Sequence, residues 1–355
     1  MRRLAAALAG DAEALATLAA DPAGADLAKL HRLGPALALR ARRLGIEGPN
    51  VDAWRRSLLG ATAHRLVVDE ALAGLGATLG AAGVPWLPIK GCDLGPRVYD
   101  RPEERPVGDV DVLVLRADYL RARRALEETG WRSMVSGARI DAYLLEEGYA
   151  WQAMNAANLL LEVHHRLWGQ VPPGLATAMM EKAEPDPALG PTARRLPLVH
   201  SWLLAAVHVW LSPPPRPLLG AWDLERIARL APDLEDDAVR LATEWDLQLP
   251  AALAAAYADG LWPSEPNRRI ADRLMDTLRP AERLVARRAV EREVESTALA
   301  SIVLARLLSF RPSRAGWRSL IRRFWAHPGI VELETPPGRS WPARRLAHVL
   351  RSFRA

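Results

Sequence analysis

The segment that most constrains the fold is Trp86 to Leu115, WLPIKGCDLGPRVYDRPEERPVGDVDVLVL. It closes on the apolar residues Val110, Val112, Leu113, Val114 and Leu115, interrupted only by Asp109 and Asp111. The run reads as a strand, and carboxylates two residues apart on an extended segment point to the same face of a sheet. Like charges side by side repel, and each also costs desolvation, so a strand that keeps both usually has a cation to bind. Carboxylate oxygens suit a hard divalent ion, and magnesium in particular is held by one or two carboxylates plus substrate phosphates. Upstream, Val84 to Ile89 reads as a short strand, followed by Lys90, Gly91 and Cys92 and then a helix over Asp93 to Tyr99. Glycine at a strand-to-helix turn lets backbone N–H groups approach a phosphate, and the helix N-terminus favours its charge.

Length and composition bound the rest. A chain of 355 residues, half of them apolar, has room for two or three domains with sizeable cores. Its single cysteine excludes an internal disulfide framework and fits a reducing cytoplasm. The opening MRRLAAALAGDAEAL imitates a signal peptide, but Asp11 and Glu13 cut the apolar run short and a helix is the better reading. Leu198 to Leu211, the most apolar window, contains His200 and His208 and is below spanning length, so no membrane segment is expected.

The formal net charge of +5 is uneven: Arg311 to Ala355 holds ten arginines against Glu332 and Glu334. A basic tail of this kind could meet nucleic acid or a polyphosphate, although a solvated arginine face is the favoured reading. Only three lysines occur, so arginine is the default base of the chain. Lys90 in the phosphate-facing turn therefore points to a need for a compact point charge.

In chain order, residues 1–83 alternate alanine-rich helices with breaks at Asp21-Pro22, Gly34-Pro35 and Gly48-Pro49. The last of these helices, about Ala61 to Ala82, carries the stripe Val68, Leu72, Leu75 and Leu79 and stops at Gly83. Pro85 and Pro88 make the following strand short or put it at a sheet edge. After the Asp109 strand comes a helix with Asp118 as cap, Leu120, Ala125 and Leu126 inward and Gly130 as stop, then a strand over Trp131 to Val135 that would complete a strand-helix-strand unit. Tyr149–Met154 and Leu159–Leu167 read as a hairpin around Asn155-Ala156-Ala157-Asn158. On its second arm Leu160, Glu162, His164 and Arg166 share one face, and Leu161, Val163 and His165 the other, so Glu162 is a carboxylate buried by pattern. Beyond Pro172-Pro173-Gly174 the chain reads as helical: Leu198–Leu211, Ala221–Ala231, Glu235–Asp246, Ala251–Leu261, Arg268–Leu278, Ala281–Leu308, Gly316–Trp325 and a last basic helix.

Ile89, Lys90, Gly91, Leu94, Tyr99, Arg105, Asp109 and Asp111 together resemble the uncharacterised nucleotidyltransferase family of the DNA polymerase β superfamily. The superfamily's general signature is a Gly-Gly or Gly-Ser turn followed by Asp-x-Asp or Asp-x-Glu. Here Cys92 stands where glycine or serine is usual, and the longer gap with its arginine is what the uncharacterised family shows. Glu162, Val163 and His164 match that family's acidic-apolar-histidine triplet, and His208 and Asp223 fall on matching positions of its later helices.

The resemblance implies an α+β fold, a small mixed β-sheet nucleotidyltransferase core over 84–170. N-terminal (1–83) and C-terminal (171–310) helical regions would flank it, followed by the basic tail (311–355). It implies the transfer of a nucleoside monophosphate from a nucleoside triphosphate such as ATP to a hydroxyl-type acceptor, a small molecule, peptide or nucleic acid, with release of pyrophosphate. By the same resemblance Asp109 and Asp111 would bridge two magnesium ions, with manganese as an alternative, and Glu162 would be the third metal carboxylate. Lys90, Gly91, Cys92 and Arg105 would meet the phosphates.

Several residues keep a second reading. Glu162 fits an ion pair with Arg166 or another arginine, Arg105 an ion pair with Asp109 or Glu104, His164 a hydrogen-bonded core position, and His208 and Asp223 a buried helix–helix pair. Cys92 fills a small space in the turn; a thiol nucleophile needs a base within reach and the sequence nominates none. Two further function classes stay open. One is a non-catalytic nucleotide-binding or regulatory module such as a toxin–antitoxin component, which the presence of all three acids opposes. The other is a nucleic-acid-binding protein that works through its basic tail.

Overall fold

A computed structural model describes residues 1–135, 137–146, 150–167, 171–172, 174–211, 218–280, 282–284, 286–287 and 340. The basic tail, the helices expected over Ala281–Leu308 and Gly316–Trp325, and the proline-rich break at 213–217 lie wholly or largely outside the described residues. The chain opens with α1 (Arg2–Ala9), α2 (Ala12–Ala20), α3 (Gly24–Leu30), α4 (Gly34–Leu44) and the long α5 (Val51–Ala81). Next come β1 (Trp86–Pro88), α6 (Gly91–Val98), a 3-10 turn (Pro102–Glu104), β2 (Val110–Val114), α7 (Tyr119–Glu128), β3 (Arg132–Ser133), α8 (Ala138–Glu146), β4 (Ala150–Met154) and β5 (Leu160–His164). After α9 (Leu175–Lys182) and a ribbon of β6 (Glu184–Pro185) and β7 (Arg194–Arg195), the described chain is helical: α10 (Leu198–Leu211), α11 (Leu218–Leu230), α12 (Glu235–Glu244), α13 (Gln248–Leu261) and α14 (Glu265–Thr277). This is an α+β architecture with a small mixed sheet among helices, as the sequence leads one to expect.

Two compact units form. One gathers the described residues of Met1–Ala71, Ile89–Gly108 and Leu196–Ser309. The other gathers those of Leu72–Pro88, Asp109–Arg195 and Phe310–Ala355.

In the sheet unit the strand order is β1-β2-β5-β4-β3, with β2 and β5 parallel and every other pair antiparallel. β1 is the end strand, where Pro88, which has no N–H to donate, is tolerated. β2 lies inside the sheet and all five of its residues are buried, which is why it reads as a nearly unbroken apolar run. Asn155 makes the hairpin by accepting the backbone N–H groups of Ala157 and Leu159 on its Oδ1, while Asn158 takes the left-handed conformation at φ 57°. The α5 stripe Val68, Leu72, Leu75 and Leu79 is buried as expected. Gly83, at φ 61°, stops that helix, its N–H reaching Gly80 O while the Val84 N–H reaches Leu79 O.

Three local expectations need correction. α7 buries Tyr119, Ala122 and Leu126, spacings of three and four, which leaves Leu120 on the outer side and 56% exposed. Asp118 pairs with Arg121 and makes no side-chain cap bond. β3 does not return beside β2. It joins β4 at the far edge, because the β4–β5 hairpin places β5 against β2, and α8 was not anticipated because its apolar face is only Ile140 and Leu144.

His165 shows how the opposite face of β5 is closed. Its ring meets Tyr119 edge-on at 4.5 Å, its Nε2–H donates to Leu144 O at 2.7 Å, and its Nδ1 is buried without a partner. Burial holds its pKa below the usual histidine value. A depressed histidine contributes stability fully above its unfolded pKa of about 6.5 and loses it as pH falls toward the folded value. Urea unfolding is therefore expected to show a drop in stability from pH 7.5 to 5.5 that is smaller in His165→Gln; an identical drop in both proteins would contradict this.

In the helical unit, Trp202, Trp210, Trp222 and Tyr257 are fully buried, and the Trp262 indole N–H donates to Ala5 O at 2.7 Å. Thus α1 and the end of α13 are tied across 257 positions of sequence. Among the described residues no helix is long and apolar enough to cross a membrane.

Candidate functional site

Parallel pairing of β2 with β5 puts Asp111 directly opposite Glu162. Because side chains alternate, His164 returns to the same face two residues further on. His164 Nε2 lies 2.8 Å from Asp111 Oδ1 and 3.4 Å from Glu162 Oε2, and one ligand atom from each of the three residues falls within 4.8 Å of the others. All three side chains are buried. Glu162 also accepts the Gln152 amide on Oε1 at 2.6 Å, from the register position opposite it on β4.

The bonds from His164, working against burial, and then that from Gln152 hold the Glu162 pKa below its ordinary value, while the charge of Asp111 pushes the other way. Glu162 is therefore a carboxylate at neutral pH. Two carboxylates and an imidazole nitrogen are a donor set for a hard or borderline divalent cation. Ligand atoms sharing an ion at about 2.1 Å stand roughly 3 Å apart, close to the 2.8 and 3.4 Å that separate His164 Nε2 from the two carboxylates. The residues present thus fit a divalent ion. Asp109 sits on the bend immediately before β2 and is half-buried. His164 and Gln152 stand beside Glu162, and Arg166 reaches the Glu146 carbonyl.

In the helical unit a small pocket is lined by Lys90, Asp93, Arg105, Ser201, His208 and Asp223, with Leu94, Leu204, Ala205 and Gly220 as its apolar wall. Lys90 stands at φ 55°, ψ −126°, where a non-glycine residue is strained, and such strain concentrates at functional sites. Gly91 begins α6, and Arg105 explains its lack of a side chain. A Cβ there would come within 2.2 Å of Arg105 Nη1 and 3.1 Å of Val107 Cγ2. Cys92 is buried in the same first turn.

Arg105 pairs with Asp223 and not with the neighbouring Glu104. Its Nε and Nη2 donate to the two oxygens of Asp223 at 3.0 and 2.8 Å, and Glu104 is taken by Arg40 at 3.0 Å. The Tyr99 hydroxyl donates to Asp223 Oδ1 at 2.6 Å. Burial works against the Arg105 charge, but Asp223 more than restores it and the guanidinium pKa is raised. Burial and the neighbouring Asp223 charge together push the Tyr99 phenol well above its usual value. Asp93 accepts from Arg97 and, at 2.7 Å, from Ser201; burial raises its pKa against the pull of Arg97. Asp93, Ser201 and Gln152 were not singled out by sequence reasoning. Gln152 could have been found by counting across the Asn155–Asn158 hairpin from Glu162, whereas nothing local marks Ser201.

A family profile described as uncharacterised nucleotidyltransferase matches residues 22–263, more than half of the chain. The chain belongs to the uncharacterised nucleotidyltransferase family. No curated protein matches it. Membership in this nucleotidyltransferase family supports transferase activity of the nucleotidyl-transferring kind in general. The matched span contains both the Asp111–Glu162–His164 face and the Lys90–Arg105–Asp223 cavity, and it excludes the basic tail.

Proposed function

We propose that this nucleotidyltransferase moves a nucleoside monophosphate from a nucleoside triphosphate to a hydroxyl-type acceptor, with release of pyrophosphate. The observation that carries this reading is the pairing of Asp111 opposite Glu162 on neighbouring parallel strands, with His164 beside both. Residues 84–170 are the catalytic core in this reading. Asp109, Asp111 and Glu162 would hold divalent cations, magnesium or manganese. When bound, such cations supply acidification of the attacking hydroxyl and neutralisation of the triphosphate and the departing pyrophosphate.

The chain's own residues have separate tasks. While the face is empty the His164 ring nitrogen holds the Asp111 carboxyl group, and the ionised Glu162 keeps the face attractive to a cation. Phosphate recognition is assigned to the Lys90 ammonium and the backbone of Gly91 and Cys92 at the start of α6. Arg105 contributes there through Nη1, the nitrogen outside its pairing with Asp223. Asp223 and Tyr99 hold that guanidinium in place, and His208 supplies a polar group to the same cavity.

The test is incubation of the full chain with α-labelled nucleoside triphosphates, magnesium or manganese, and a pool of metabolite and peptide acceptors. Pyrophosphate release that chelator removes, with a nucleotide-sized mass increment on an acceptor, is the expected result. Nucleotide binding with no release under any acceptor would overturn it.

A further inference from the structure

We propose that Gln152 is a positioning residue for the cation site: its side-chain amide holds Glu162 Oε1, so that Oε2 is the oxygen presented alongside Asp111 and His164. The inference rests on the reading of that face as cation-holding and goes beyond the carboxylates themselves. Three consecutive strands contribute one row of side chains across the sheet. Asp111 on β2 lies opposite Glu162 on β5, and Glu162 lies opposite Gln152 on β4. A carboxylate rotates freely unless one oxygen is engaged. Here Oε1 is fixed by the Gln152 nitrogen at 2.6 Å, and the other oxygen, Oε2, is the one 3.4 Å from His164 Nε2. An ionised carboxylate is acceptor-only, so the NH₂ end of the amide must face it.

The chemistry of the donor also matters. Arginine is the default base of this chain, which has 47 lysines and arginines in total of which three are lysine. A guanidinium or ammonium at position 152 would orient Glu162 equally well, but it would cancel the charge that attracts the cation. An amide orients the oxygen and leaves the charge in place. Partners of this kind behind a metal ligand typically change metal affinity about 10–100-fold when removed.

The test is Mn²⁺ binding to the full chain, read from the electron paramagnetic resonance signal of free Mn²⁺, beside thermal unfolding without metal. Gln152→Met is expected to bind Mn²⁺ about 10–100-fold more weakly than the wild type with an unchanged melting temperature. Gln152→Lys is expected to lose Mn²⁺ binding while keeping or raising the melting temperature, a combination that a purely structural role would not produce. Should Gln152→Met fail to fold, Gln152→Lys decides alone. Wild-type affinity in whichever variant folds would overturn the proposal. Absence of Mn²⁺ binding in the wild type would instead remove the cation reading, and this proposal with it.

Discussion

Asp111→Asn is expected to lower the rate of pyrophosphate release by about 10³-fold or more without unfolding the protein. A bound divalent ion contributes several kcal/mol of charge stabilisation in the transition state, and each 1.4 kcal/mol is about a factor of ten in rate. Asparagine keeps the shape of the side chain and an oxygen for the His164 ring nitrogen, which stands 2.8 Å away. It removes one of two buried negative charges that repel each other, since Asp111 pushes the Glu162 pKa upward. Without metal the variant should therefore be as stable as the parent or more so, the sign expected where a site is held strained for function. Glu162→Gln should behave alike in activity. A rate within tenfold of the parent in both variants would exclude these carboxylates from the chemistry.

Asp223→Ala is expected to cost about 3–5 kcal/mol of stability, the range for removing one partner of a buried ion pair. Set against a total of about 5–15 kcal/mol for an ordinary domain, that is a large fraction. Asp223 is 1% exposed and Arg105 8%, so the orphaned guanidinium is left largely buried at the start of α6, where Gly91 packs against it. Tyr99 would lose its acceptor as well. Chemical denaturation measures the loss. The double variant Arg105→Met, Asp223→Leu should recover most of it, because replacing both charges leaves none buried alone. A loss below about 1 kcal/mol in the single variant would show that the pair carries little.

Much of the fold was legible where local chemistry decides it. The α5 stripe rests on helical period, the β4–β5 hairpin on two asparagines, and the place of β1 at the sheet's end on proline's missing N–H. The order of the strands was not, because β5 lies between β2 and β4 through pairings about fifty residues apart that no local pattern encodes. Alternation alone put Glu162 and His164 on one face, yet which strand would lie beside them needed the parallel register. The Arg105–Asp223 pair spans 118 positions, so sequence offered only the nearby Glu104 and Asp109 as partners. Glycine at 91 was read as letting backbone N–H groups approach a phosphate, and two features of that turn were not legible. The strain falls on Lys90, and Gly91 makes room for a guanidinium.

Crystals of the full chain soaked in Mn²⁺ would test the central claim most directly through the anomalous difference map. A peak about 2.1 Å from carboxylate oxygens of both Asp111 and Glu162 is expected. A map with no peak on that face, and His164 still bonded to Asp111 as it is without metal, would contradict it.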